Sequence, residues 1–233
     1  MEPRTLDHVA LWLADRDAVS SLATASLGMH VVDRTERFTL VGSDARHGKL
    51  TLFAADGPRE RGALKHIALR VSALDAAAGA LPPDLDIDSS QRGTLLFDVS
   101  EGVRLGLVEA PTEVEYDLDH VALWSRAPAR TAQAYTRLGF RSAETGPSGA
   151  PRVEVGGAYV EFHDGDPGKP ESPLLHHLAV LVDSAESHLR EAEELGVEVD
   201  DFVDAPNTLA VFLRGPEGVR IEYVEHKPGF SLT

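Results

Sequence analysis

The chain has no cysteine at all, and only two methionines and two tryptophans among its 233 residues. Without thiols, disulfides, thiolate metal sites and cysteine nucleophiles are excluded. Basic residues are scarce as well: 22 Lys and Arg stand against 38 Asp and Glu, a net charge of −16. Nucleic acid and anionic membrane both require a basic face, so neither is an expected partner. Long apolar runs are missing too, since none approaches the roughly 18–20 residues that span a bilayer. The opening MEPRTLDH carries no basic-then-apolar leader. These absences, with 42% hydrophobic and 26% charged residues, lead to the expectation of a cytoplasmic globular protein. Its length suits one large domain or two small ones.

What is present is repetition. LDHVALW occurs at residues 6–12 and again, letter for letter, at 118–124. Two weaker relatives, LKHIALRV (64–71) and LHHLAVLV (175–182), keep the leucine, the histidine and the apolar run. The four starts, Leu6, Leu64, Leu118 and Leu175, are evenly spaced. A capped helical segment follows each start: Asp15 precedes one and Gly28 ends it, Gly139 ends another, and Asp183 with Glu186 opens a third that stops at Gly196. Short runs such as KLTLF, AYVEFHD, LAVFLRG and VRIEYVE then read as strands between Gly, Pro and Asp turns. The strings EGVRLGLVEA (101–110) and EGVRIEYVEH (217–226) close the second and fourth units, so the chain is a tandem duplication of a paired unit. APTEVEYD (110–117) joins the halves.

In these four units the chain resembles, over essentially its whole length, the vicinal oxygen chelate superfamily: glyoxalase I, methylmalonyl-CoA epimerase, bleomycin-resistance proteins and extradiol dioxygenases. The resemblance implies an α+β fold in which four βαβββ modules pair into two tandem open barrels. It also implies a divalent metal held by residues of the first and last strands of each module. Sequential pairing places an N-terminal barrel at 1–110 and a C-terminal barrel at 111–233.

Aligning the repeats with each other shows which positions keep ligand chemistry. The first-strand histidines are His8, His66, His120 and His177. GVRLGLVE over GVRIEYVE sets Gly106 opposite Glu222, and LTLF over YVEF sets Leu52 opposite Glu161. The C-terminal half therefore keeps His120, Glu161, His177 and Glu222, while the N-terminal half keeps only histidines. Strand alternation turns Ile221 and Tyr223 away from Glu222, and a buried carboxylate of that kind needs a cation. Two imidazoles and two carboxylates suit one divalent metal per chain, with Fe, Mn, Ni, Zn and Co all acceptable to N/O ligands. The N-terminal barrel is expected to be metal-free, with His8 and His66 as relics or structural hydrogen-bonders. Pairing the first module with the fourth would instead assemble His8, His177 and Glu222, with Leu52 in the remaining place.

Two reactions follow from the resemblance. Four ligands match the glyoxalase and epimerase branch: lyase or isomerase chemistry through an enediolate, with Glu222 or Glu161 as base, His163 assisting, and Tyr159 and Phe212 as pocket walls. Three ligands, His120, His177 and Glu222, match the extradiol ring-cleaving dioxygenases, whose HisHis strand LLHHLAVLV resembles. That branch has a tyrosine and an upstream histidine before the last ligand; here Phe212 takes the tyrosine's place and VDAPNTLA holds no histidine. Ligand count favours the isomerase reading. A bleomycin-resistance-like binding protein is a third reading, opposed by the filled ligand set. The expected partners are a small-molecule substrate and, at most, a second copy of the chain.

Overall fold

Each repeat folds as a strand, a helix and three further strands in the computed structural model, which describes residues 2–90 and 93–229. Module one comprises β1 (Thr5–Leu13), α1 (Arg16–Ser26), β2 (His30–Arg34), β3 (Phe38–Gly42) and β4 (Lys49–Ala54). Module two comprises β5 (Leu64–Val71), α2 (Leu74–Gly79), β6 (Ile87–Asp88), β7 (Thr94–Asp98) and β8 (Arg104–Glu109). Module three comprises β9 (Asp117–Ser125), α3 (Pro128–Thr136), β10 (Arg141–Ala143), β11 (Arg152–Val155) and β12 (Ala158–Asp164). Module four comprises β13 (Leu175–Leu181), α4 (Ala185–Leu195), β14 (Val199–Asp204), β15 (Thr208–Arg214) and β16 (Arg220–His226).

Local chemistry sets the helix ends. The Asp15 carboxylate accepts from the Ala18 amide and caps α1, as its position before the helix suggests. For α4 the cap is Ser184, one residue beyond the expected Asp183, and its hydroxyl accepts from the Ser187 amide. Gly196 closes α4 in the left-handed region at φ 64°, where a side chain would be strained. No helix among the described residues is long and apolar enough to cross a membrane.

The strands form two eight-stranded mixed sheets, and their order corrects the expected pairing. One sheet runs β14-β15-β16-β13-β1-β4-β3-β2 and the other β10-β11-β12-β9-β5-β8-β7-β6. Module one therefore joins module four through the antiparallel β1–β13 pair, and module two joins module three through β5–β9. Sequential barrels at 1–110 and 111–233 are not what forms, because each sheet draws one module from each half. The physical reason is that all four first strands carry the same apolar pattern. Periodicity tells a strand which face to bury, but not which partner to choose.

Two acidic side chains tie the interleaved modules together. Glu101 sits at φ 49° after β7, and its carboxylate accepts the amides of Ala14 and Asp15 at the start of α1, in the other sheet. Glu217 sits at φ 58° in the equivalent turn, and its Oε1 accepts from the Ser125 and Thr131 hydroxyls, 2.7 and 3.2 Å away. This is why EGVR recurs at 101 and 217: each glutamate laces a module of one sheet to a module of the other. Along β1 the alternation then sends Val9, Leu11 and Leu13 into a core shared by both sheets, while His8, Ala10 and Trp12 take the opposite face.

Candidate metal centre

The register of the first sheet brings three donors to one point. Across β1–β13, His8 pairs with Ala179 and Ala10 with His177, so the two imidazoles face each other from adjacent strands. The parallel β13–β16 register sets Glu222 beside Ala179. His8 Nε2 and His177 Nε2 lie 2.9 Å apart. Glu222 Oε2 lies 3.3 Å from the first and 2.9 Å from the second. One donor atom from each of these residues, and no other group of three among the described residues, meets the geometry of a metal site.

The residues fit a divalent metal. N and O ligands stand about 2.0–2.2 Å from such an ion, so adjacent ligands at right angles stand about 3.0 Å apart. The triangle of 2.9, 2.9 and 3.3 Å has those edges and corresponds to one face of an octahedron. Two histidines and one carboxylate so arranged leave the opposite positions open. The electrostatics agree. Burial alone would discharge Glu222, yet His177 and His8 hold its carboxyl well below the usual range, so a full negative charge faces the two rings. Burial likewise works against a charge on His8, but Asp7 and Glu222 outweigh it and raise the imidazole to about 9. His8 thus carries, without metal, the positive charge that a cation would supply. For His177 burial dominates and lowers the pKa.

The triad opens on a cavity of about 600 Å³. Trp12, Phe38, Phe53 and Phe212 supply aromatic wall. Phe212 meets the His177 ring edge-on at 5.3 Å between centroids. His176 joins that wall because a β-bulge lies between the Ala10–His177 and Leu11–Leu175 pairs, which re-aims a side chain that would otherwise alternate away. Its ring lies 4.9 Å from both Trp12 and Phe53. Burial, then His177, pushes His176 down to about 3, so it is neutral at physiological pH.

The second sheet repeats this plan incompletely. His66 Nε2 and His120 Nε2 lie 3.0 Å apart, and Glu161 sits beside Ala122 in the β9–β12 register. However, Glu161 does not complete a converging group with them; its carboxylate accepts from the Ser148 hydroxyl at 3.0 Å, with His163 Nε2 at 3.5 Å and Arg152 at 3.8 Å. Burial opposes its charge, and the His163 hydrogen bond and His120 keep it below its usual pKa. Where a second carboxylate would stand, Gly106 is roofed by Leu96, whose Cδ2 would lie 2.7 Å from any Cβ added there. Burial, then His120, pushes His66 down to about 2.

The four expected ligands are therefore split: His177 and Glu222 share the first sheet, while His120 and Glu161 lie in the second. His8, read as a relic, is one of the three converging donors. His163 and Tyr159 go with Glu161 in the second sheet, where Lys65 Nζ lies 2.9 Å from His163 Nδ1 and the Arg152 guanidinium covers the Tyr159 ring at 3.9 Å. Phe212 alone of the proposed pocket walls lines the cavity at the triad. The repeat alignment also slipped by one residue. Ala10 pairs with Thr51 just as Ala122 pairs with Glu161, so Thr51, and not the buried Leu52, stands opposite Glu161. A single-residue slip exchanges the two faces of a strand. Asp7, Trp12, Phe53, His176 and His226 were missed as site residues. The signal for two of them was the heptamer itself, whose Asp and Trp recur with its His.

Residues 117–223 match the Glyoxalase/Bleomycin resistance protein/Dioxygenase superfamily. Among solved structures, a putative dioxygenase from Bacillus subtilis is 17% identical with a TM-score of 0.81, over 98% of this chain and 87% of that one. Glyoxalase I from Zea mays is 16% identical with a TM-score of 0.72, over 96% of this chain and 92% of that one. At these identities the likeness is one of fold. No curated protein matches the chain.

Proposed function

We propose, for a chain that has the vicinal oxygen chelate fold and whose residues 117–223 belong to that superfamily, an extradiol-type dioxygenase that opens the ring of a catechol. The observation that carries this reading is the triad of His8, His177 and Glu222 beside an aromatic cavity. An enediolate isomerase of the kind first expected would call on a fourth donor. In this sheet that position belongs to Thr51, a neutral hydroxyl. Donor count now favours the dioxygenase.

A divalent metal such as Fe(II), when bound, supplies open positions for two vicinal substrate oxygens and for O₂. The chain's own residues supply the rest. His8, His177 and Glu222 would hold the ion, contributing one negative charge, so that a doubly charged cation keeps an excess positive charge for an anionic diolate. Trp12, Phe53 and Phe212 bind the ring faces and exclude water. His176, neutral and lining the cavity, can accept a hydrogen bond from a substrate hydroxyl at a ring nitrogen and so orient it.

The test is oxygen uptake by protein loaded anaerobically with Fe(II) and given a panel of catechols. Uptake with the visible absorbance of a ring-opened product supports the reading. Absence of uptake across the panel, together with isomerisation of a hemithioacetal, would reverse it in favour of the isomerase.

A further inference from the structure

Asp7 is buried to 3% exposure, yet three groups converge on its carboxylate. Lys49 Nζ, equally buried, donates to Oδ1 at 2.9 Å and also ion-pairs with Oδ2. His226 Nε2 lies 3.1 Å from Oδ1, and His8 Nδ1 lies 3.4 Å from Oδ2. Lys49 is also the residue directly beside His8 in the β1–β4 register. A buried ion pair contributes little stability once its desolvation is counted, so its presence here asks for another reason. The direction of the imidazole supplies one. His8 points Nε2 at the triad and Nδ1 at Asp7, and a metal-bound histidine needs its second nitrogen held if the ring is to keep its tautomer and aim.

We infer that Asp7 is the positioning residue of the His8 metal ligand, and that Lys49 and His226 hold Asp7 in place. This rests on reading His8, His177 and Glu222 as ligands. Lys49 neutralises the aspartate, so that it can be buried beside the triad without adding net charge. His226 reaches Asp7 from β16, the strand that also carries Glu222, and so ties two of the three ligand-bearing strands, β1 and β16, to one carboxylate. The second sheet holds a built-in control. Asp119 contacts His120 Nδ1 at 2.6 Å and is held by Arg70 at 3.0 Å, but its histidine belongs to no converging triad.

The experiment is Co(II) titration of the chelator-stripped full chain, reading affinity by competition and the visible absorption of the bound ion. Asp7→Asn is expected to weaken Co(II) binding about 10–100-fold and to shift the absorption band, while Asp119→Asn leaves both unchanged. Equal affinity and an unchanged band in Asp7→Asn, or the same loss in both variants, would overturn the inference and leave the triad standing. No Co(II) bound by the unsubstituted protein would remove the metal reading and this inference with it. Where Asp7→Asn does not fold, His226→Gln decides: a weaker and spectrally shifted complex supports the clamp, and an unaltered one refutes it.

Discussion

Removing metal from this site should make the protein's stability depend on pH in a particular way. His8 rises from 6.5 to about 9 in the folded, metal-free chain, because Asp7 and Glu222 outweigh burial. A histidine whose folded pKa is raised contributes stability that is complete below pH 6.5 and is lost as pH climbs through 9. The difference corresponds to about 3 kcal/mol. His66, His176 and His177 act in the opposite direction, since burial lowers all three, so they remove stability as pH falls below 6.5. Stability of the metal-free protein should therefore peak near pH 6.5, and above it the loss from His8 dominates, with Lys65, whose pKa burial lowers, opposing it toward the alkaline end. Metal changes this, because a ligating imidazole has already given up its proton. Urea unfolding of chelator-treated protein between pH 6.5 and 9.5 should lose about 3 kcal/mol, and metal-saturated protein should stay nearly level across the same range. A flat profile without metal, or the same decline with and without it, would refute the charge balance assigned to the triad.

Two further outcomes follow from individual residues. Tyr135 is fully buried, and its hydroxyl has no hydrogen-bond partner among the described residues. Tyr135→Phe should therefore raise unfolding free energy by about 1 kcal/mol in chemical denaturation, whereas a loss would mean the hydroxyl is satisfied after all. Thr51 occupies the position of the absent fourth donor, so Thr51→Glu should tighten metal binding while suppressing oxygen uptake by closing an open position. Unchanged affinity would show that Thr51 does not face the ion.

Much of the fold was legible because it is written four times. The recurrence of LDHVALW and its relatives marked the modules, and EGVR at 101 and 217 marked their closing turns. His177 and Glu222 were identified as a ligand pair from the same repeats, and they do meet, at 2.9 Å. What could not be read was which first strand lies beside which. β1 and β9 carry the same heptamer and the same burial pattern, so nothing local separates a partner in β13 from one in β5. The choice depends on long-range contacts such as the glutamate ties at Glu101 and Glu217. That one undecided pairing moved His120 and Glu161 out of the site and brought His8 in. The bulge beside His177 was equally hidden, since a strand reading in strict alternation turns His176 away from its neighbour.

His8, together with His177 and Glu222, would hold a metal between the two halves of the chain. The most direct measurement is metal content, by elemental analysis after anaerobic Fe(II) loading and desalting, of His8→Ala beside His120→Ala. His8→Ala is expected to come out empty while His120→Ala retains its ion. Metal retained by His8→Ala and lost from His120→Ala would contradict it.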